Sequence, residues 1–337
     1  VAQDQALEGY DLQTEKGQGH SGCICLFCSE TNLSRSGTRS DGSATFFFLP
    51  EFIFLLLYVI KKRKMKKTIL PIIALMGICL YGNAQNLTFP DIPRQLPRDL
   101  TLDPCVVRSY EMVTEYQDYD LKGNFQRKTR ITAGYTSGLE NGTTVRWNNV
   151  FMAQTYEEYA DFSMGTKQEL MEGFSYAPAG NIESSTFFDG IPGADIMHKN
   201  LVWDMVGLEG FAYWFWDELH LNKEYKAGNL NAPVDLAGDG TFTNKDIRIQ
   251  WIGITVINGE ICAIIKYYTM NNLLDVKTGD ISVTGRSHYW GEVYVSLQDK
   301  EIEFATLFED VITEVVMPGQ PDFSGYTVRY ITLTRKS

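Results

Sequence analysis

The segment from Asp195 to Leu219 constrains this chain more than any other. Leu201, Met205, Leu208, Phe211, Ala212, Phe215 and Leu219 recur at three- and four-residue steps, the period of one helix face. Trp203, Tyr213, Trp214 and Trp216 fill the other faces, so the helix is apolar almost all round and must be covered on several sides. Gly207 and Gly210 weaken it by roughly 1 kcal/mol each relative to alanine. A curved sheet wrapping the helix supplies that cover.

The rest of the chain from about Val106 onward reads as strands. Short stretches rich in Tyr, Thr, Val, Ile and Trp alternate with Gly, Asn and Asp signals. Asn258-Gly259 lies between Trp251–Ile257 and Glu260–Tyr268 and fits the two positive-φ positions of a type I′ turn. Both arms are apolar on each face near the turn, which predicts a hairpin in the interior of the sheet. A second hairpin runs from His288 to Leu307 and turns at Gln298-Asp299-Lys300. Asn141-Gly142 marks a third turn, and Tyr326–Thr334 reads as a closing strand. The expected fold is mainly β, an antiparallel curved sheet or half-barrel with one aromatic-rich helix packed against it.

The organisation follows from the first hundred residues. Met65-Lys66-Lys67, an apolar run from Ile69 to Tyr81 and Gly82-Asn83-Ala84 make a secretory signal with cleavage after Ala84. The run is shorter than the roughly 20 residues a membrane-spanning helix needs. Cys79 lies within it and lacks the context of a lipidated cysteine. Residues 1–64 show no amphipathic period and read as an upstream extension outside the working protein. A membrane hairpin joining Phe46–Ile60 to Ile69–Tyr81 is opposed by Pro50, Glu51 and the shortness of both runs. His20, Cys23, Cys25 and Cys28 contain one well-spaced pair and no second knuckle, which is too little for zinc. Residues 85–105 form a proline-rich approach, and 106–337 a single β-rich domain. The expected location is periplasmic or extracellular, with no transmembrane anchor in the mature form.

Charge and motifs exclude more than they assign. Lys and Arg number 30 against 42 Asp and Glu, a formal charge of −12, so a nucleic-acid partner is not expected. Removing residues 1–84 takes away more basic than acidic groups and leaves the domain more acidic still. Only Cys105 and Cys262 remain there, and in an oxidising compartment they are either a disulfide stapling the proline-rich approach to the sheet or two core thiols; the staple is the expectation. Asp235, Asp239, Thr241, Thr243 and Asp246, with Gly240 at the turn, resemble the calcium loop of EF-hand and dockerin modules. Ala237 supplies no oxygen where that loop needs one, and Ile247, Ile249 and Trp251 continue as a strand where an EF-hand needs a helix. An acidic turn entering a strand is therefore the stronger reading, with calcium the candidate cofactor and no other expected.

No catalytic constellation emerges. His198, His220 and His288 are far apart, and neither H-E-x-x-H nor G-x-S-x-G occurs. His288 and Glu292 share a strand face, as packing alone also arranges. The acid pairs Asp217-Glu218 and Glu309-Asp310 would suit a glycosidase only with the right geometry.

The long hairpins, the helix apolar on most faces and the run Gly291-Glu-Val-Tyr-Val-Ser-Leu297 turning into Glu301–Leu307 together resemble the carriers and sensors of lipoproteins in the cell envelope. Those are half-barrels of antiparallel strands whose helices plug the concave side. The resemblance is one of architecture and order. It implies an exported, non-catalytic protein with a hydrophobic cavity for a lipid or other apolar molecule, lined by some of Trp203, Leu208, Phe211, Trp214 and Phe215. Two alternatives stay open, a carbohydrate-binding or carbohydrate-active protein with exposed aromatic platforms and a structural envelope domain. The sequence leaves the oligomeric state open.

Overall fold

Alternating inward apolar residues pair the strands into one open antiparallel sheet. The computed structural model describes Ile92 and residues 94–336, all within a unit spanning Phe89–Ser337. The upstream extension, the signal segment and, in the proline-rich approach, residues 85–91 and 93 lie outside the described residues. The strands are β1 (Arg108–Asp120), β2 (Phe125–Gly138), β3 (Thr144–Thr155), the short β4 (Thr166–Lys167) and β5 (Ser175–Tyr176), then β6 (Glu224–Lys226), β7 (Pro233–Asp235) and β8 (Gly240–Thr243). The long strands β9 (Arg248–Ile257), β10 (Glu260–Thr278), β11 (Ile281–Ser296), β12 (Ile302–Val316) and β13 (Phe323–Lys336) follow. Their order is β4-β3-β2-β1-β13-β12-β11-β10-β8-β7, with β5 on β3, β9 also on β10, and β6 on β9. The sheet has 13 described strands and does not close into a barrel.

The one long helix, α1 (Ile196–Tyr213), begins where the periodicity predicts. Asp195 caps it, its carboxylate accepting the backbone N–H of Met197 at 3.0 Å and of His198 at 3.1 Å. It ends six residues before Leu219, and the tail continues as a single 3-10 turn at Trp216–Glu218. No residue from Met197 to Tyr213 is exposed. Side chains of α1 meet Tyr135 on β2, Tyr116 on β1, Arg329 on β13, Tyr289 on β11 and Tyr267 on β10. With β12 between β13 and β11, those are six adjacent strands, about 24 Å across at ~4.8 Å per strand, against a helix roughly 10–12 Å wide. Glu209 reaches β2 and Phe211, two residues further on, reaches β10; a flat sheet could not bring both of those strands to one turn of a helix, so this one curves around α1.

Three expected turns are present. Asn258 (φ 53°) and Gly259 (φ 89°) both take positive φ, as type I′ requires. Asn141 (φ 59°) and Gly142 (φ 84°) lie in the turn from β2 to β3, and residues 297–301 join β11 to β12. One expectation is corrected. β10 is interior, but β9 has only the three-residue β6 on its far side. The chain around β6 extends that edge pairing, Asn222 donating to the Trp251 carbonyl at 2.8 Å and Ala227 to that of Ile247 at 3.0 Å.

The cysteine staple is also corrected. Cys262 is a buried free thiol on β10, pushed up to about 12 chiefly by burial and then by Glu303. Cys105 precedes β1, with its Sγ 3.4 Å from the Asn141 carbonyl. β13, β12 and β11 separate β1 from β10, about 19 Å at the usual strand spacing, while a disulfide needs Cα atoms within roughly 7 Å.

The tightest join between helix and sheet depends on a missing side chain. Phe211 stacks on Tyr267 with ring centroids 4.0 Å apart and planes 12° from parallel. The Tyr267 hydroxyl donates to the Thr306 carbonyl at 2.7 Å, passing over Gly291. A Cβ at residue 291 would lie 2.0 Å from that carbonyl oxygen and 2.6 Å from the hydroxyl. Gly291→Ala is expected to lower the urea midpoint by an amount worth about 2 kcal/mol or more, while Gly228→Ala, with open space around it, leaves the midpoint nearly unchanged. Equal midpoints for the two variants would contradict this packing.

Candidate functional site

The five expected ligand-lining residues do not share one surface of α1. Leu208 is fully buried, and Phe211 faces the sheet against Tyr267 and Tyr289. Phe215 is buried past the helix end, 5.2 Å from the Tyr225 ring. Trp203 sits edge-on to Phe188 and donates its indole N–H to the Ile182 carbonyl at 3.2 Å. Trp214 is 59% exposed and folds back over Gly210, where a Cβ would come within 3.0 Å of its ring. Trp216 is buried, its indole bonded to the Pro97 carbonyl at 2.8 Å.

The candidate calcium residues are not brought together either. Asp235 and Thr241 are cross-strand partners in the β7–β8 hairpin, and the Asp235 carboxylate accepts the Gly238 N–H at 2.6 Å. Asp239 is paired with Lys199 on α1, and Asp246 with Arg248. Thr243 belongs to β8. Among the described residues no three His, Cys, Asp or Glu side chains converge as metal ligands. The motif is an acidic turn in which Asp239 and Asp246 already have cations and Asp235 closes the turn onto Gly238.

Sequence reasoning missed the polar groups of the interior. Asp204 projects from the sheet-facing side of α1 and takes both terminal nitrogens of Arg329 at 2.9 Å. The Arg329 Nε lies 2.7 Å from Glu309 Oε2 on β12, a close ion pair without hydrogen-bond alignment. Ser287 donates to Glu309, and the guanidinium lies over the Tyr116 ring. Burial pushes Asp204 up to about 6, against the pull of Arg329 and with the push of Glu309. A second network at the other end of these strands places Glu301 between Arg108 and Arg335, with Glu303 also on Arg335.

Glu209 departs from that pattern. Every buried carboxylate named above faces an arginine, whereas Glu209 makes no ion pair among the described residues. Its one protein partner is the Tyr135 hydroxyl, which donates to Oε1 at 3.1 Å. The register of β1, β2 and β3 places Tyr110, Tyr135 and Trp147 side by side on the concave face, with ring centroids 6.1 and 5.0 Å apart. The Trp147 indole N–H donates to the Tyr176 hydroxyl at 3.4 Å. The charge of Glu209 reaches Tyr110, Tyr135, Tyr176 and Tyr213, and burial holds all four phenols protonated far above neutrality. Burial pushes Glu209 itself up to about 7. Even so, Val206, Glu209 and Tyr213 on α1 and Tyr176 on β5 keep partial solvent contact. Solvent thus touches the margin of the helix–sheet interface at these residues, while Tyr110, Tyr135 and Trp147 behind them stay buried.

The convex face carries exposed aromatics as well. Trp290, Phe308 and Tyr330 are neighbours across β11, β12 and β13. Their rings are engaged with one another, Phe308 lying 4.6 Å from Tyr330 and 5.9 Å from Trp290, both near-parallel. The adjacent acids are occupied, Glu292 by the Tyr294 hydroxyl at 2.6 Å and Asp310 by that of Tyr326 at 3.0 Å. His288 accepts the Asn271 N–H, and strand alternation sends Glu309 inward and Asp310 outward.

The chain matches no family model and no curated protein. Among solved structures it is similar to a lipovitellin described for its lipid–protein interactions, at 11% identity and a TM-score of 0.38, over 70% of this chain and 26% of that one. It is also similar to a DUF1329 family protein from Desulfovibrio piger, at 9% identity and a TM-score of 0.13, over 68% of this chain and 87% of that one. The chain thus spans about a quarter of the length of the lipovitellin. Neither likeness assigns a role to any residue here.

The Arg329 network makes a direct prediction. Arg329→Met strands two carboxyls under the helix and should cost about 3–5 kcal/mol, whereas replacing Asp204 and Glu309 by leucine in the same chain should restore much of it. Asp204 is raised in the fold, so its contribution favours folding at low pH and declines as pH rises from its ordinary range toward about 6. The loss in Arg329→Met should therefore grow with pH in urea unfolding. A loss under about 1 kcal/mol at neutral pH would show that the network does not hold α1.

Proposed function

We propose that this chain is an exported, non-catalytic binding protein that carries or senses a hydrophobic, lipid-like molecule of the cell envelope. The observation that supports the reading best is the seating of the apolar helix α1 inside the antiparallel sheet, with the Glu209 carboxyl among aromatic rings at the margin of that interface. Although α1 is covered along its whole length, Val206, Glu209 and Tyr213 keep partial solvent contact. Apolar surroundings with a few convergent polar groups and a carboxyl of shifted acidity have the chemistry of a small-molecule site. No pair of groups within it makes an acid, base or nucleophile arrangement with a positioned partner, which supports binding rather than turnover. Among the described residues no helix is long and apolar enough to cross a membrane.

The carbohydrate reading draws on Trp290, Phe308 and Tyr330. Rings stacked on one another and acids bonded to tyrosines make a poorer sugar platform than separate flat rings beside free carboxylates. That reading therefore has less behind it.

Native mass spectrometry of protein gently extracted from the producing cell tests the proposal without a guess at the ligand. The expected result is an intact mass beginning at Gln85 together with a co-purified apolar adduct. Ligand-free protein from every preparation would favour a structural role, and a chain retaining residues before Met65 would remove the export reading.

A further inference from the structure

We infer that one rim of the sheet, the rim nearest the start of α1, docks on the surface of a zwitterionic lipid bilayer, with Tyr159 and Met164 as the residues that enter it. The inference rests on the binding-protein reading above and adds the surface at which the ligand is exchanged. Strand register gathers four chain connections at this rim. Asp120 pairs with Gly325, Lys128 with Thr155, Ser282 with Val316 and Thr278 with Ile281, so residues 121–124, 156–165, 279–280 and 317–322 all leave the sheet at one end. The four most exposed large apolar side chains among the described residues are all there: Leu121 at 61%, Tyr156 at 72%, Tyr159 at 93% and Met164 at 94%. Exposed apolar groups gathered in this way mark an interaction surface.

Their arrangement suits a fluid partner. A protein partner needs a packed, complementary face, which side chains standing singly on separate connections do not make. A bilayer flows around them, and tyrosine favours its headgroup level. The β3–β4 connection is held for this: Phe162 lies over the Arg130 guanidinium at 4.2 Å and the Lys128 ammonium at 5.1 Å, and Lys128 also donates to the Glu158 carbonyl at 2.7 Å. Those contacts tie the connection to β2 and leave Tyr159 and Met164 projecting. The inner face of the sheet is also least covered toward this rim. Ala305 on β12 and Leu333 on β13 are fully buried, whereas Val311 and Val315, further toward the rim on the same face of β12, are half-buried and Phe323 is 50% exposed.

Charge selects the lipid. The four connections carry Glu157, Glu158, Asp161, Asp280 and Asp322 against Lys122 alone, in a chain of net charge −12. The negative potential of an anionic leaflet attracts basic segments and repels a rim like this one. A zwitterionic surface has no such potential, and its ammonium groups meet the acids beside the inserted side chains. Repulsion between exposed charges is screened by salt, so the preference for zwitterionic lipid should shrink as ionic strength rises.

Flotation of the purified protein with phosphatidylcholine vesicles and with phosphatidylglycerol vesicles, at low and high salt, tests this. The protein should float with the first, and at low salt it should float less with the second. Replacing Tyr159 and Met164 together by serine should weaken partition into phosphatidylcholine at least about tenfold, while Val107→Ser, an exposed change at the opposite end of β1, leaves it unchanged. All of these side chains lie in solvent, so both variants should keep the urea midpoint of the unsubstituted protein. Undiminished flotation of the double variant, or tighter binding to phosphatidylglycerol at low salt, would overturn the rim assignment. So would a concentration-dependent dimer in sedimentation that the double substitution abolishes, because the rim would then join two copies of the chain. Failure to float by protein that co-purifies with an apolar adduct would overturn the rim assignment and leave the carrier reading standing. Flotation by protein that never carries an adduct would support the rim assignment and count against the carrier reading.

Discussion

The position of the helix depends on one cation. Arg329 stands on β13, near the middle of the long-stranded part of the sheet, and holds Asp204 of α1 in a two-pronged pair while lying against Glu309 of β12. Buried ion networks of this kind add little net stability, because desolvation offsets most of their attraction, but they penalise any arrangement that separates the partners. An all-round apolar helix could otherwise rotate in a concave sheet with little change in apolar burial. The Asp204 contact sets its rotation, and that rotation places Phe211 on Tyr267, over the gap left by Gly291.

The same rotation turns Glu209 away from every arginine. The helix carries two acids inside the curve of the sheet, five residues apart, and they have opposite surroundings. Asp204 meets a guanidinium in the centre, and Glu209 meets a row of aromatic rings on the β1–β3 side. A packed core with no other task would place an alanine or a leucine at residue 209. A carboxyl kept there is a cost to folding that the apolar burial around it must offset.

What could be read in advance was local. The α1 period, its start near Asp195 and the Asn258-Gly259 turn lie within a few residues of the structure they specify, and all three are present. The site was not local. Tyr135 and Glu209 are 74 residues apart, and Asp204 and Arg329 are 125 apart, so strand order had to be known before they could be joined. The Cys105–Cys262 staple failed for the same reason, since three intervening strands separate the strands concerned. One signal was present and unused. A helix that must be covered on all sides cannot keep Asp204 and Glu209 in bulk water, so both were legible as interior acids requiring partners.

Side-chain carbon-13 NMR of Glu209, followed by pH titration of the ligand-free protein, tests the account most directly. Burial of Glu209 among these rings predicts a carboxyl midpoint of about 7. A midpoint near the ordinary glutamate value of ~4.3 would mean that the group lies in water or beside a cation, and would contradict the site.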